Sequence, residues 1–195
     1  MDFFDPKETD YYQKSFLAIK ASNLTVKNKR FEDCKFDQLN LTDFETDNCQ
    51  FINCTFKNSV LTPIKLTDSE FIDVSFKNCK MIGVDWTKAK TLRSLIFNTC
   101  KLNYSNFSLL KLSKTHIIDC EAKECVFTET DLSESKLNST DFSGSNFLKT
   151  NLTKADFRGA KNYLIDINTN IIKHAKFSFP EVINLLKNLD IDVEY

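Results

Sequence analysis

A ladder of large residues with a period of five runs through most of this 195-residue sequence and constrains the fold more than any other feature. Its members, called pentad centres here, fall five apart from Phe31 to Trp86. After one extra residue near Lys90 they resume in a new phase from Leu92 to Phe157. The residue two places before a centre is usually small, and all seven cysteines occupy such positions. Two residues of every five are therefore predicted to point inward.

A period of five matches neither the 3.6-residue helix nor the two-residue strand, and a fixed repeat of another length indicates a repeat architecture. If the chain bends by about a right angle every five residues, four pentads close one coil, and stacked coils form a β-solenoid. The ladder from Phe31 to Phe157 then makes about six and a half coils, a rod about 30 Å long at the spacing of paired strands. The sequence thus predicts an all-β fold.

The cysteines are interpreted as packing residues, because buried thiols behave as small apolar groups. Cys79, Cys100 and Cys120 are predicted to stack on one wall of the rod, and Cys34 and Cys54 on another. The alternative is a metal or redox site, but the pentad sets the spacing and no CxxC motif occurs. No metal or cofactor is therefore expected. Free thiols suit a reducing cytosol, and the acidic N-terminal residues lack the apolar run of a signal or membrane segment, so a cytoplasmic location is predicted.

Motifs of catalysis and of nucleic-acid binding are missing from the sequence. His116 and His174 are isolated, and neither an HExxH nor a GxSxG motif is present. All three glycines lie two residues after a centre, where a type II turn can require a positive φ, so no glycine-rich phosphate loop exists. No basic face carries interleaved aromatic residues. We therefore predict a protein that is not an enzyme, does not bind nucleic acid directly, and binds a protein partner.

Four segments, ADFRG (155–159), TNLTK (150–154), TDLSE (130–134) and SNFSL (105–109), resemble the A(D/N)LXX repeat of the pentapeptide-repeat proteins. The resemblance covers about residues 16–160, and it implies a right-handed quadrilateral β-helix. The expected organisation is a lead-in over residues 1–15, the β-helix over 16–160, and a C-terminal capping or dimerisation segment over 161–195.

The segment FKNCKMIGVDW (76–86) and the C-terminal tail look similar to the quinolone-resistance (Qnr) group of this family, whose rods mimic duplex DNA and protect gyrase. This resemblance implies DNA gyrase or topoisomerase IV as the partner, contacted by partial DNA mimicry. Loops that relatives extrude from the rod are missing here, since a single residue interrupts the ladder. The alternative is a structural or interaction scaffold whose partner is unrelated to topoisomerases.

A DNA mimic should present acidic groups, so the distribution of charge indicates where a partner would bind. The net charge is only −1, and no wall of the rod is strongly acidic, which disfavours mimicry by the whole rod. Residues 119–141, however, carry seven acids and two bases. The alternative interpretation of this acidic band is an ordinary solvated surface. The candidate partner-binding residues are Asp119, Glu121, Glu124, Glu129, Asp131, Glu134 and Asp141.

The C-terminal tail departs from the five-residue pattern. Ser178 and Glu181 match a capping box around Pro180, which predicts a helix over residues 179–189. Its apolar residues are Phe179, Val182, Ile183, Leu186 and Leu189. Because an open solenoid end exposes unpaired backbone, this helix is expected either to cap its own rod or to pack against a second copy. The family resemblance implies an end-to-end homodimer.

Overall fold

The computed structural model describes residues 4–5, 7–187, 189 and 191. Most of its strands are three residues long and are separated by single corners, as the five-residue period predicts. The strands are β1 Asp10–Tyr12, β2 Ser15–Leu17, β3 Lys20–Ser22, β4 Thr25–Lys27, β5 Arg30–Glu32, β6 Lys35–Asp37, β7 Asn40–Thr42, β8 Phe44–Asp47, β9 Gln50–Ile52, β10 Thr55–Lys57, β11 Val60–Leu61, β12 Ile64–Thr67, β13 Glu70–Ile72, β14 Ser75–Lys77, β15 Thr91–Arg93, β16 Ile96–Asn98 and β17 His116–Ile118. Two 3-10 helices, Trp86–Lys88 and Glu181–Leu186, accompany them.

The strands form four parallel sheets, which are the four faces of a right-handed quadrilateral β-helix, and the predicted fold class is confirmed. Face 1 consists of β1, β5, β9, β13 and β15, and face 2 of β2, β6, β10, β14, β16 and β17. Face 3 contains β3, β7 and β11, and face 4 contains β4, β8 and β12. Isolated parallel bridges, such as Lys101↔Glu121 on face 3 and Asn106↔Val126 on face 4, continue the faces toward the C-terminus.

Neighbouring coils pair with a constant offset, which changes once. Phe31 lies beside Phe51 and Phe51 beside Phe71, each 20 residues apart. Phe71 then lies beside Leu92, 21 residues later. The extra residue follows the 3-10 helix Trp86–Lys88, in which the carboxylate of Asp85 accepts from the N–H of Thr87. The predicted change of phase near Lys90 is thus confirmed.

The core is a set of columns parallel to the rod axis. On face 2 the rings of Phe36, Phe56 and Phe76 stack with centroids 4.4 and 5.0 Å apart. The pentad centres from Phe31 to Phe157 are buried, except Leu92 at the extra residue, which is half-buried. Burying one large apolar side chain contributes about 1.5 to 3 kcal/mol, so these columns supply most of the favourable free energy of folding.

Coil pairing extends on both sides of residues 16–160. At the N-terminal end β1 pairs with β5, and the ring of Phe4 lies over the open end, 5.1 Å from Phe16 and 5.5 Å from Phe31. At the C-terminal end Asp156 bridges to Lys176.

The C-terminal helix differs from the prediction in length and type. In place of an α-helix over 179–189, the described residues form the 3-10 helix Glu181–Leu186. The predicted capping box does not form: Pro180 is the N-cap residue and no side chain caps the helix. The Ser178 hydroxyl accepts from the N–H of Gly159 at 2.9 Å, and the Glu181 carboxylate accepts from the N–H of Asn162 at 3.4 Å. Both side chains thus bind the last coil of the rod, and the Glu181 carboxylate also accepts from the Asn184 amide of its own helix at 2.8 Å.

None of the helices in the described part of the chain combines the length and the apolar character needed to cross a bilayer.

Candidate functional site

The acidic band is spread around the rod instead of forming one stripe. Glu121 and Asp141 lie half-buried on face 3, and Asp119 and Glu124 lie exposed at the two corners that flank it. The other three acids belong to the opposite side of the square. Asp131 lies on face 1, with Glu129 and Glu134 at its corners. The seven residues therefore do not form a single acidic surface.

Lysines from adjacent coils pair with four of the seven acids. The shortest nitrogen–oxygen distances are 3.0 Å for Lys101–Glu121, 3.2 Å for Lys123–Asp141, 3.4 Å for Lys149–Glu129 and 3.7 Å for Lys154–Glu134. Exposed pairs of this kind contribute little to stability, but they cancel charge locally. The first of them, Lys101, lowers the pKa of Glu121 through a hydrogen bond.

Asp131 and Asp141 have structural hydrogen bonds. Each carboxylate accepts from the backbone N–H two residues later, that of Ser133 at 3.0 Å and that of Ser143 at 3.1 Å. Burial raises the pKa of Asp141, but hydrogen bonds from Asn162 and Ser143 outweigh burial and bring it down to about 2. These two carboxylates stabilise the turns of their own coils.

Asp119 and Glu124 are the acids most available to a partner. Both are exposed corner residues with φ of 53°, and no lysine among the described residues lies within ion-pair distance of either carboxylate. They stand on either side of face 3. Of the predicted set, these two have the geometry of a recognition group.

Face 4 has a stretch without charge that the sequence analysis missed. Beyond the 3-10 helix Trp86–Lys88, none of its outward residues is ionisable up to Leu164, whereas faces 1 and 3 carry lysines and acids in the same coils. We call this stretch the neutral face. It consists of Asn106, Ser108, Val126, Thr128, Asn146, Leu148 and Leu164.

Two large apolar side chains flank the neutral face in its first coil. Tyr104 occupies the corner between faces 3 and 4 and is 59% exposed, and Leu109 occupies the corner between faces 4 and 1 and is 70% exposed. The signal that could have found them is positional: both lie two residues after a pentad centre, where the rest of the sequence places polar or small residues.

The histidines and cysteines lie apart from these surfaces. His116 is in β17. Its pKa is lowered mainly by burial and, to a smaller extent, by the positive charge of Lys136. His174 occupies a corner near the C-terminal end. The seven thiols are free and buried, and burial raises the pKa of Cys54 and Cys125 to about 12. Within the described ranges, no three His, Cys, Asp or Glu side chains are grouped in a way that could hold a metal ion.

The predicted cysteine columns are confirmed by the register. Cys79, Cys100 and Cys120 lie two residues before the face 3 centres Met81, Leu102 and Ala122, and the N–H of Cys100 donates to the Cys120 sulfur at 3.3 Å. Cys34 and Cys54 precede Phe36 and Phe56, which are neighbours on face 2.

The C-terminal end of the rod has one covered and one uncovered side. Leu185 is buried and Val182 packs against the core, so this side of the 3-10 helix caps the last coil. Phe179, Leu186 and Ile191 are exposed on the described part of the tail. Of the predicted helix residues, Ile183 and Leu189 are half-buried.

Comparisons with known proteins agree with this architecture. The family described as pentapeptide repeat region matches residues 29–107, and the family of pentapeptide repeats in eight copies matches residues 125–161. No curated protein sequence matches the chain.

Two solved structures show the same fold. A trypsin-treated variant of QnrB1, a plasmid-mediated fluoroquinolone resistance protein, is 19% identical with a TM-score of 0.55, covering 95% of this chain and 100% of its own. HetL, a pentapeptide repeat protein involved in heterocyst differentiation regulation from the cyanobacterium Nostoc, is 14% identical with a TM-score of 0.54, covering 87% and 90%. At these identities the likeness concerns the fold alone. The repeat, the four-sided coil and the two family matches together show that this chain belongs to the pentapeptide-repeat family.

Proposed function

We propose that this protein is a non-catalytic, cytoplasmic rod that binds a protein partner, and that the partner is a type II topoisomerase, DNA gyrase or topoisomerase IV. The observation that carries a binding role is the division of the pentad: two positions pack the interior, and the other three build continuous external faces. The resemblance of residues 76–86 and of the tail to gyrase-protecting proteins supports the identity of the partner. QnrB1, itself described as a fluoroquinolone resistance protein, has a fold that this chain matches over nearly its whole length.

The electrostatic part of the contact is assigned to corner carboxylates. A partner that normally holds DNA offers basic groups, and free carboxylates at the surface attract them. Asp119 and Glu124 are exposed without a lysine partner, so they contribute more than Glu121 or Glu134, whose charges are paired. DNA mimicry is therefore partial and confined to a short part of the rod.

We also propose that the protein is a homodimer joined at its C-terminal ends. The tail already caps its own rod through Ser178 and Glu181, and it exposes Phe179 and Leu186 on the outside. Phe179 is 79% exposed, which is unusual for a phenylalanine unless another surface covers it. Self-capping and dimerisation can therefore use opposite sides of one segment.

One observation favours the alternative, an interaction scaffold with an unrelated partner. Lysines pair with most of the acidic band, which leaves a mixed surface instead of a continuous acidic one. A supercoiling assay with purified gyrase, with and without a quinolone, separates the two functions. The topoisomerase assignment requires that the protein alter supercoiling or quinolone-induced cleavage. If tens of micromolar of the protein have no effect, the alternative function as a scaffold is favoured.

Charge variants sharpen this assay. Asp119→Lys and Glu124→Lys should weaken the effect on gyrase, most at low salt, because exposed charges are screened within about 8 to 10 Å at physiological ionic strength. Ser139→Lys is the matched control, since Ser139 occupies the same column of corners as Asp119 one coil later. Equal losses in all three variants would show that any added lysine disturbs binding and that the two acids have no special role.

Deletion of residues 178–195 tests the dimer. The truncated rod should be β-rich and monomeric at low concentration, and it should aggregate more readily because its last coil is uncovered. Sedimentation is the measurement. A dimer that persists after the deletion places the interface elsewhere.

A further inference from the structure

We infer that Tyr104 and Leu109 are the apolar anchors of the partner contact, and that they hold an uncharged, apolar protein surface against the neutral face. This inference rests on the proposed function, because it names the part of the rod that the topoisomerase contacts. It assigns to the contact a component that salt does not screen.

A large apolar side chain at a corner sets these two residues apart. Tyr104 and Leu109 have φ of 64° and 63°, in the left-handed region that is unfavourable for an ordinary L-residue. At all other described corners with positive φ the residue is polar, charged, glycine or alanine. Asn23 holds an equivalent corner in the column of Tyr104, and Asn28 and Asn48 do so in the column of Leu109. Residues such as Lys114 and Glu124 adopt a similar φ, so what is peculiar to Tyr104 and Leu109 is the large apolar side chain placed at the corner.

Exposure is the second unfavourable feature of the same two residues. Each places more than half of a large apolar side chain in water, and no other face of the described rod carries two such corners in one coil. Departures from local rules that nothing in the fold compensates are expected at functional positions. Tyrosine is also enriched among residues that dominate binding energies at protein interfaces.

The chemistry of the neutral face defines its partner. A charged group pressed against Val126 would lose its hydration without gaining an ion pair, so the matching surface is uncharged there; the neutral face ends at Asp166, which lies beside Leu148. This excludes a nucleic-acid backbone. Glu124 and Glu129 stand one coil beyond Tyr104 and Leu109 in the same corner columns, so basic groups at the margin of the partner's contact would meet carboxylates there.

Recognition on this face must use side chains. Its backbone groups already bond between coils, as in the N–H of Phe107 to the carbonyl of Val126 at 2.8 Å and the N–H of Phe127 to the carbonyl of Asn146 at 2.9 Å. A partner strand therefore cannot add to it.

The size of the face argues against a second copy of this chain. The neutral face spans about three coil steps of about 4.8 Å and one side of the square, on the order of a few hundred Å². Stable dimers bury roughly 800 Å² per partner. The occupant is therefore part of a larger protein that contacts other surfaces as well.

Asparagine substitutions test the anchors without damaging the fold. Tyr104→Asn and Leu109→Asn introduce the residue that the rod already uses at equivalent corners, so the double variant should unfold at the same or a higher denaturant concentration than the wild type. Its affinity for purified gyrase should fall about tenfold or more, because two interface anchors are removed. Ser94→Asn with Thr99→Asn is the matched control: both are positive-φ corners of the same coil that lie away from the neutral face, and this pair should retain full affinity.

The salt dependence of the affinity losses, together with the affinity of the wild type for gyrase, distinguishes this inference from the proposed function. The loss of affinity in the Tyr104/Leu109 variant should be the same factor at about 50 mM and about 300 mM salt, whereas the loss in Glu124→Lys should shrink. Unchanged gyrase affinity in the asparagine variant would overturn the anchors and leave the proposed function standing. A factor that disappears at the higher salt would overturn their apolar role. A wild-type protein that does not bind gyrase at all overturns both.

Discussion

The two halves of the rod share one period but form their coils with different local hydrogen bonds. From Asp10 to Lys77 every side of the coil is a short strand, whereas after Lys101 pairing is mostly by isolated bridges. At many turns of the second half the N–H three residues after a centre donates to the carbonyl of that centre, as Ser105 does to Leu102 at 3.2 Å and Ser135 to Leu132 at 3.2 Å. The described turns of the first half lack this bond. The inward-pointing residues therefore set the same five-residue coil in both halves, whereas the hydrogen bonds of the turns vary with the outward-pointing residues.

The residue before the centre contributes a second difference between the halves. In the second half it is often Asp or Asn, and its side chain accepts from the N–H two residues later, as Asn151 does from Thr153 at 3.1 Å. Such side-chain acceptors favour tight turns. In the first half the same position holds residues such as Lys35, Gln50 and Thr55, and of the described side chains at this position only that of Asp85 makes this bond.

The corners differ in the same way. The first half joins its corners by amide hydrogen bonds along the rod, such as Asn53 to Asp33 at 2.6 Å and Asn78 to Asn58 at 2.9 Å. The second half uses lysine–carboxylate pairs, such as Lys149–Glu129. Identical corner geometry is thus compatible with amide or with lysine–carboxylate bonds between coils, and the lysine–carboxylate bonds should be the more sensitive to salt.

The largest expected effect does not distinguish the halves. Phe56→Ala in the first half and Phe127→Ala in the second should each lower the free energy of unfolding by about 3 to 5 kcal/mol, because each ring is enclosed by stacked rings above and below. Lys77→Ala, at an exposed position, should change it by less than about 0.5 kcal/mol. Denaturant titration would show the difference, and a large loss in only one half would mean that the two cores are not equivalent.

A smaller effect should separate the halves. Asn151→Ala should cost about 1 kcal/mol, because it removes an acceptor for a turn N–H and a bond to Asp131 at 3.0 Å. Gln50→Ala, at the corresponding position of face 1 in the first half, should cost less than about 0.5 kcal/mol. Comparable losses in the two variants would show that the side-chain acceptor does not stabilise the turn.

Acid should weaken the second half specifically. A hydrogen bond from Arg158 lowers the pKa of Asp156 to about 2, as those from Asn162 and Ser143 do for Asp141 against the effect of burial. Since both folded values lie below the ordinary 3.8, their stabilisation is complete above pH 3.8 and is lost as the pH falls toward 2.

Urea unfolding at neutral pH and near pH 3 measures this loss. Asp141→Asn with Asp156→Asn should have a smaller pH dependence than the wild type. An unchanged pH dependence would assign the acid response to other carboxylates.

The smallest effect concerns the charged corners. A double-mutant cycle of Lys149→Ala and Glu129→Ala should give a coupling of about 0.2 to 1 kcal/mol that decreases with added salt, as for exposed ion pairs. The cycle of Asn53→Ala and Asp33→Ala should be less sensitive to salt, because one partner is neutral. Equal salt sensitivity in both cycles would contradict the distinction between the corners.

The interior of the rod was predictable because each rule for it is local and periodic. Pentad arithmetic alone located the cysteine columns and the change of register after Trp86. The first coil was less evident, since Tyr11 and Phe16 precede the regular ladder, and the ring of Phe4 covers an end whose position depends on the whole fold. The prediction of the tail helix was wrong in type and length because the side chains of Ser178 and Glu181 accept hydrogen bonds from N–H groups of the last coil.

The interactions on the exterior were less predictable because the side chains that pair with each other there are a full coil apart in sequence. The number of charges on each wall does not indicate that Lys101 forms an ion pair with Glu121 or that Lys123 forms one with Asp141. Asp131 was assigned both to the candidate surface and to the repeat, and the structure shows its hydrogen bond within the repeat. Tyr104 and Leu109 could not be predicted from the period, because the ladder assigns inward positions and leaves the residue type at the outward corners free.

The pairing of equivalent residues in successive coils has a consequence for how such a sequence can change over time. A substitution at Glu121 alters the surroundings of Lys101 and Asp141 before it affects its neighbours in sequence. Compensating substitutions should therefore appear at separations of 20 residues, and of 21 across the extra residue after Trp86. In a set of descendants of this chain, that pattern of covariation would record the winding of the rod.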